Sequence, residues 1–463
     1  MPSTVDGGPS KDMKTTIDMS SMGNNPFSGE GEAAGSRFTV QLEGLARLCA
    51  AFRSNDGDGE AGEDYLPRPS QSADRLIEAV RQLVFLTGET PFSTGLRELG
   101  IPELPEIPRA LFYCLCGLFY SEPMKPVERA QFWSDASAKV FAGGIGELLA
   151  RGLVTAVAVN EKDEGSVRKD RYLLDPSTCG ILFKGLESLV SPAVVAQFGT
   201  MVRSGEIAAR DLVFPDSLEE RLLLISSAVS RERFPRVRDG LKARGFRTGL
   251  AFLLAGPPGT GKTEFVRQLA RREGRNILMV DAAKLDGTYF GEKPRNIRDL
   301  FRLTKYISAL MLNEPFVFID EADGLLGRRV EAARAADKEE NTTVNIILEE
   351  MNSFQGILFA ATNNLGSVDP AMGRRFVLKA VFPVPDTSVR ARIWQARLPF
   401  LAQREAWTLA ERFPLSGGLI DNVASLCLVQ EIVEGRHPSY AEVVRNCESQ
   451  LEGMPRAAPK IGF

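Results

Sequence analysis

An α/β domain built on a five-stranded parallel sheet with a small helical lid, preceded by a mostly helical region, is the architecture this sequence predicts. Three observations carry it. From about Leu241 short apolar segments alternate with helical patterns, a glycine-rich segment follows the first of them, and beyond Asp386 the pattern is helical alone. The strand candidates are Leu250–Ala255, Ile277–Val280, Phe316–Ile319, Ile357–Ala361 and Ala380–Phe382. Lid helices are expected over Val389–Gln403, Ala406–Phe413 and Ile420–Glu434.

Upstream of that domain the texture differs. Residues 1–35 are rich in Gly, Ser and Asn and hold few large apolar residues, so they are expected to remain a disordered tail. Residues 36–72 read as a short helix, with Leu42, Leu45 and Leu48 at helical spacing, followed by an acidic Gly/Pro-rich linker. Residues 73–212 are mostly helical, with a hairpin formed by the β-branched run Leu153–Val159 and the return strand Arg171–Leu174. Helices followed by a hairpin give the pattern of a winged-helix module. The predicted boundaries then place the large α/β subdomain at 213–385, the helical lid at 386–455 and a tail at 456–463.

Composition removes several chemistries. The chain of 463 residues has one histidine, His437, in the turn-like Gly435-Arg436-His437-Pro438, so zinc hydrolase and Ser-His-Asp readings lack their imidazoles. Cys114 and Cys116 are the only neighbours among six cysteines, and they sit in an apolar helical run that suits buried thiols. The longest apolar run, Ala110–Tyr120, falls short of the roughly 20 residues that cross a bilayer, so no membrane association is expected. The N-terminus lacks an apolar run behind a basic start, and the cytoplasm is the expected compartment. Residues 1–240 hold 26 Lys/Arg against 34 Asp/Glu, a net charge of −8, which disfavours a nucleic-acid surface on that half.

The chemistry sits in four segments. Gly256-Pro257-Pro258-Gly259-Thr260-Gly261-Lys262-Thr263 lies between a strand and a helix, where glycines let backbone N–H groups curl around phosphate oxygens. Lys262 is expected to reach the β- and γ-phosphates of ATP and Thr263 to hold Mg²⁺. Phe316-Val317-Phe318-Ile319 ends in Asp320 and Glu321, which puts acids at the ligand-binding edge of a parallel sheet. Asp320 is placed on the metal, and Glu321 becomes the candidate base for an attacking water. Phe359-Ala360-Ala361-Thr362 ends in Asn363, a polar side chain on the same edge. Downstream, Met372-Gly373-Arg374-Arg375-Phe376 offers two arginines with no adjacent acid, suited to stabilising a transferring phosphoryl group from a neighbouring subunit.

In this order and spacing the segments resemble the AAA+ ATPases, and within them the AAA branch that includes valosin-containing-protein-type unfoldases. The stretch Arg221–Arg247 and the short arginine segment are similar to a bacterial group with winged-helix-like segments ahead of the ATPase. The resemblance implies Walker A roles for Lys262 and Thr263, Walker B roles for Asp320 and Glu321, and the sensor-1 role for Asn363. It implies that Arg374 or Arg375 acts in trans as an arginine finger, and hence a ring, most often a homo-hexamer. Ser416-Gly417-Gly418 resembles the turn that opens a lid helix against the adenine, with no clear sensor-2 arginine after it. Tyr289, Phe290 and Gly291 fall where related unfoldases carry a pore loop that grips a polypeptide; packing against the neighbouring helix is the alternative.

These readings predict a protein-remodelling or unfolding ATPase whose N-terminal half recruits a substrate or adaptor. A DNA-associated ATPase using the winged-helix-like segment and a nucleotide-gated assembly scaffold are the alternatives. The first needs a local basic face, and the second has no use for a hydrolytic residue set.

Overall fold

In a computed structural model the described residues are 43–44, 90–128, 138–157, 171–287, 291–327 and 335–452. The chain divides into two units, one of Met1–Ser121 with Trp133–Gly144 and one of Glu122–Phe132 with Ile145–Phe463.

In the first unit the helix Pro91–Glu98 begins at Thr90, whose Oγ1 accepts the Ser93 N–H at 3.1 Å, with proline in the first turn where a missing N–H costs nothing. The next helix, Glu106–Ser121, is buried continuously from Ala110 to Phe119. Cys114 and Cys116 are among those buried residues. Burial pushes the Tyr113 hydroxyl up to about 12.

The second unit opens with a three-stranded antiparallel sheet of β1 (Val127–Glu128), β2 (Val154–Val157) and β3 (Arg171–Leu174) in the order β1-β3-β2. The hairpin strands pair from Val154 with Leu174 to Val157 with Arg171. After it, Asp175 caps the helix Pro176–Leu182 by accepting the Ser177 N–H at 2.9 Å. That corner is fastened to the later helix Glu292–Leu310: Tyr306 donates its hydroxyl to the Leu174 carbonyl at 2.5 Å, and the Gly185 N–H reaches the Leu310 carbonyl at 2.7 Å.

The main sheet has six strands, β4 (Gly199–Val202), β5 (Leu250–Ala255), β6 (Ile277–Val280), β7 (Phe316–Ile319), β8 (Ile357–Thr362) and β9 (Leu378–Val381), in the order β4-β6-β7-β8-β5-β9. The five strands β5 to β9 run parallel, as expected from the sequence. The sixth corrects the expectation of five: β4 pairs antiparallel with β6 and lies upstream of Val213, where the large subdomain was expected to begin. Gly199-Thr200-Met201-Val202 carries too little apolar alternation to read as a strand. Its glycine exists for a close approach, since a Cβ at Gly199 would lie 1.9 Å from the Met279 carbonyl oxygen.

Alternating strand residues fill two cores. Leu253, Val317, Ile319, Leu358 and Ala360 face Glu292–Leu310 and Ala335–Ser353, while Phe252, Leu254, Phe316, Phe318 and Phe359 face Asp216–Val229 and Lys262–Glu273. Burial on both faces explains the unbroken apolar runs of these strands. Four helices, Thr387–Arg397, Gln403–Arg412, Gly417–Glu434 and Tyr440–Glu452, form the lid around the fully buried Trp394. The first is shorter than expected because Pro399 disfavours helical backbone at Leu398. Among the described residues no helix is long and apolar enough to cross a membrane.

Candidate active site

Residues 256–261 turn the chain from β5 into the helix Lys262–Glu273. Gly256 adopts φ 152°, and a Cβ there would lie 2.1 Å from the Phe382 carbonyl oxygen. Gly259 adopts φ 74°, and its Cβ would stand 2.7 Å from Ser416 Oγ in the lid. The backbone carbonyl leaves no room for a side chain at Gly256 and the left-handed backbone would strain one at Gly259, so this close-packed turn follows from the glycines. Its N–H groups and the helix N-terminus together form the kind of concavity that binds phosphate.

Lys262 is buried, and its ammonium donates to the Gly256 carbonyl at 2.6 Å, the Pro257 carbonyl at 3.0 Å and Asn363 Oδ1 at 3.0 Å. Burial lowers the lysine from its ordinary value, and the Asp320 and Asp323 carboxylates act against that shift. Thr263 donates its hydroxyl to Asp320 Oδ2 at 2.8 Å, joining the start of the helix to the end of β7. A hydroxyl and a carboxylate side by side are hard oxygen donors, which fit Mg²⁺ with its remaining positions left to water and phosphate.

Glu321 is a non-glycine residue at positive φ, 49°, with its N–H bonded to Asp320 Oδ1 at 3.0 Å. That backbone costs on the order of 1 kcal/mol or more. It turns the chain sharply after β7, and Glu321 lines the same cavity as Lys262, Thr263, Asp320 and Asn363. Asp323 organises the neighbouring strand end: its carboxylate accepts from the Thr362 hydroxyl and, at 3.3 Å, from the Asn363 N–H. Both of these partners come from the end of β8, so nothing local in the sequence marks Asp323 for this contact.

The cavity measures about 350 Å³, within the range of small-molecule sites. One wall is the turn with the acids and Asn363. The other is the strap Asp211–Phe214 with Ile393, Ala396, Arg397, Gly417, Gly418 and Asp421 from the lid. Of these Gly417 was anticipated; the Gly418 N–H bonds the Gly259 carbonyl at 2.8 Å and ties lid to turn. The strap was missed because Leu212, Val213 and Phe214 carry no periodicity, and the lid residues because they come together only in the fold. Pro257 and Thr260 lie in the same turn, where Thr260 donates its hydroxyl to the Pro257 carbonyl at 2.8 Å.

Arg374 and Arg375 are not among the lining residues. They precede β9 at the sheet edge opposite the turn. Arg374 is exposed, and Arg375 is half-buried with its Nε lacking a hydrogen-bond partner among the described residues. Tyr289 and Phe290 lie outside the described residues. Gly291 is described, and its N–H bonds Glu339 Oε1 at 2.8 Å where the helix Glu292–Leu310 begins.

Sheet order, turn and cavity together define a P-loop nucleotide-binding domain with a helical lid. Residues 252–384 match the family described as ATPase family associated with various cellular activities (AAA). The chain thus carries an AAA ATPase domain, homologous to proteasome AAA subunits. It is 29% identical over 236 residues to the 26S proteasome regulatory subunit 6B homolog of Encephalitozoon cuniculi, covering 49% of this chain and 59% of that protein. Against 26S proteasome regulatory subunit 6A of Saccharomyces cerevisiae the identity is 29% over 251 residues, 53% of each chain. Against the proteasome-activating nucleotidase of Aeropyrum pernix it is 29% over 214 residues, 44% of this chain and 50% of that one. The chain therefore spans about half the length of the curated relatives it matches.

Proposed function

We propose that this chain is an ATP-hydrolysing AAA+ ATPase that works as a ring, a homo-hexamer, to remodel or unfold protein substrates. The observation that carries the hydrolytic part is the convergence of Lys262, Thr263, Asp320, Glu321 and Asn363 on one cavity. In this reading the turn 256–261 and Lys262 bind the phosphates, and Thr263 and Asp320 hold Mg²⁺, which supplies charge neutralisation on the phosphoryl oxygens when bound. Glu321 accepts the proton of the attacking water, and Asn363 orients that water or the γ-phosphate.

Arg374 or Arg375 acts on the nucleotide of the neighbouring subunit, in keeping with their place away from their own cavity. The names of the relatives tie those proteins to the proteasome, which favours protein over nucleic acid as what this machine handles. Tyr289, Phe290 and Gly291 form the polypeptide-gripping pore loop. The region ahead of the sheet, including the antiparallel β1-β3-β2 sheet, is a winged-helix-like module that recruits the substrate or adaptor in the cytoplasm.

The deciding experiment uses the full chain carrying Glu321→Gln. It is expected to bind ATP, to hydrolyse it at least about 10²-fold more slowly, and to retain a protein substrate in a nucleotide-dependent pull-down. Unchanged turnover would remove Glu321 from its role, and ATP-dependent retention of DNA in place of protein would replace the remodelling reading.

A further inference from the structure

The lid side of the cavity contains a charged cluster that the hydrolytic reading leaves unused. Asp421, on the lid helix Gly417–Glu434, lines the cavity and accepts at Oδ1 from Arg397 Nε at 2.6 Å and at Oδ2 from Arg210 Nη1 at 3.1 Å. Arg397, the last residue of the first lid helix Thr387–Arg397, also lines the cavity and donates Nη1 to the Asp211 carbonyl of the strap at 3.0 Å. Asp421 is therefore held by two arginines from separate segments, and only a quarter of its side chain is exposed.

The remainder of this wall is apolar, from Leu212, Val213, Phe214, Ile393 and Ala396. Lys262, Thr263 and Asp320 mark the phosphate end, so this wall takes the nucleoside. An apolar surface suits the base. A carboxylate beside it repels phosphate and matches a hydroxyl donor instead. Each carboxylate oxygen has two acceptor directions, and a single arginine bond on each leaves capacity for a further donor.

We propose that Asp421 is a specificity-determining residue that accepts a hydrogen bond from a ribose hydroxyl, and that Arg397 is the positioning residue that holds it against the strap. This rests on the reading of the cavity as an ATP site. It adds that the site distinguishes ribonucleotides from deoxyribonucleotides.

The test measures affinity of the full chain for ATP, 2′-deoxy-ATP and 3′-deoxy-ATP by competition against a fluorescent ATP analogue. The parent is expected to bind at least one deoxy analogue about tenfold more weakly than ATP, the effect of one charge-assisted hydrogen bond in a partly exposed site. Asp421→Ala should bring that ratio to within about twofold of unity by weakening ATP and leaving the deoxy analogue nearly unchanged, as removal of a single ligand contact requires. Arg397→Gln should lower the same ratio, and Asp421→Asn, which keeps one acceptor oxygen, should fall between. A ratio is insensitive to general loss of stability, so a merely structural role for the pair would leave it in place. A parent that binds ATP and both deoxy analogues equally, or an unchanged ratio in Asp421→Ala, overturns the proposal and spares the ATP reading. A parent that binds none of the three overturns both.

Discussion

Lys262 and Asn363 meet through a hydrogen bond of 3.0 Å from Nζ to Oδ1, which joins the P-loop helix to the residue that follows β8. The contact crosses from the edge of β5 to the edge of its neighbour β8, where Ala255 lies opposite Thr362. With Oδ1 accepting from the lysine, the Asn363 amide is oriented with its NH₂ group as a donor that has no hydrogen-bond acceptor among the described residues. A donor fixed before the reaction is worth more than one that must reorganise during it.

The first prediction follows from that orientation. Asn363→Ala should lower kcat for ATP hydrolysis by about 10²-fold, the usual cost of losing one fixed donor at a developing charge. ATP affinity should change by only a few-fold, because Lys262 keeps its two carbonyl acceptors and the turn is untouched. Steady-state kinetics with a parallel ATP titration checks both; a rise in KM with kcat intact would assign Asn363 to binding.

Much of this site was legible because its residues are local in sequence. The glycine turn, Lys262 and Thr263 are contiguous, and Asp320, Glu321 and Asn363 each follow an apolar strand whose length and burial are readable from composition. Register in a parallel sheet then brings those strand ends together. What was not legible depends on long-range contact. Asp323 earns its place only through the Thr362 hydroxyl and the Asn363 N–H across the sheet. Asp421 meets Arg210 and Arg397 from segments far apart in the chain. β4 escaped notice because its key residue, Gly199, is selected by the Met279 carbonyl it faces and looks like a loop residue by itself.

Tyr306→Phe isolates the fastening between the antiparallel β1-β3-β2 sheet and the helix Glu292–Leu310. The Tyr306 hydroxyl is buried, and burial holds its pKa far above the ordinary value, so it acts as a permanent donor to the Leu174 carbonyl. Its removal leaves that carbonyl without this partner while the ring still fills its space. A loss of about 1–3 kcal/mol is expected, the cost of an unmade buried hydrogen bond. Urea unfolding followed by circular dichroism measures it, and a change below about 0.5 kcal/mol would mean that water or another donor replaces the hydroxyl.

The last prediction concerns pH. Glu314, which precedes β7, accepts from Arg238 Nη1 at 2.7 Å through Oε1, while Oε2 is buried with no hydrogen-bond partner among the described residues. Burial raises its pKa above the ordinary carboxylate value, and Arg238 and Arg275 offset only part of that. The folded state therefore holds the proton to higher pH than the unfolded chain does. This group's contribution is fully present below the ordinary carboxylate pKa and is lost as pH rises through the raised folded value. Glu314→Gln removes the titration and keeps the shape. The stability of the parent minus that of the variant should therefore fall as pH is raised from about 4 towards 7. Melting temperatures of both proteins across that range test the sign. A difference that grows with pH would show that the arginine pairing outweighs burial, and that Glu314 is held as a carboxylate.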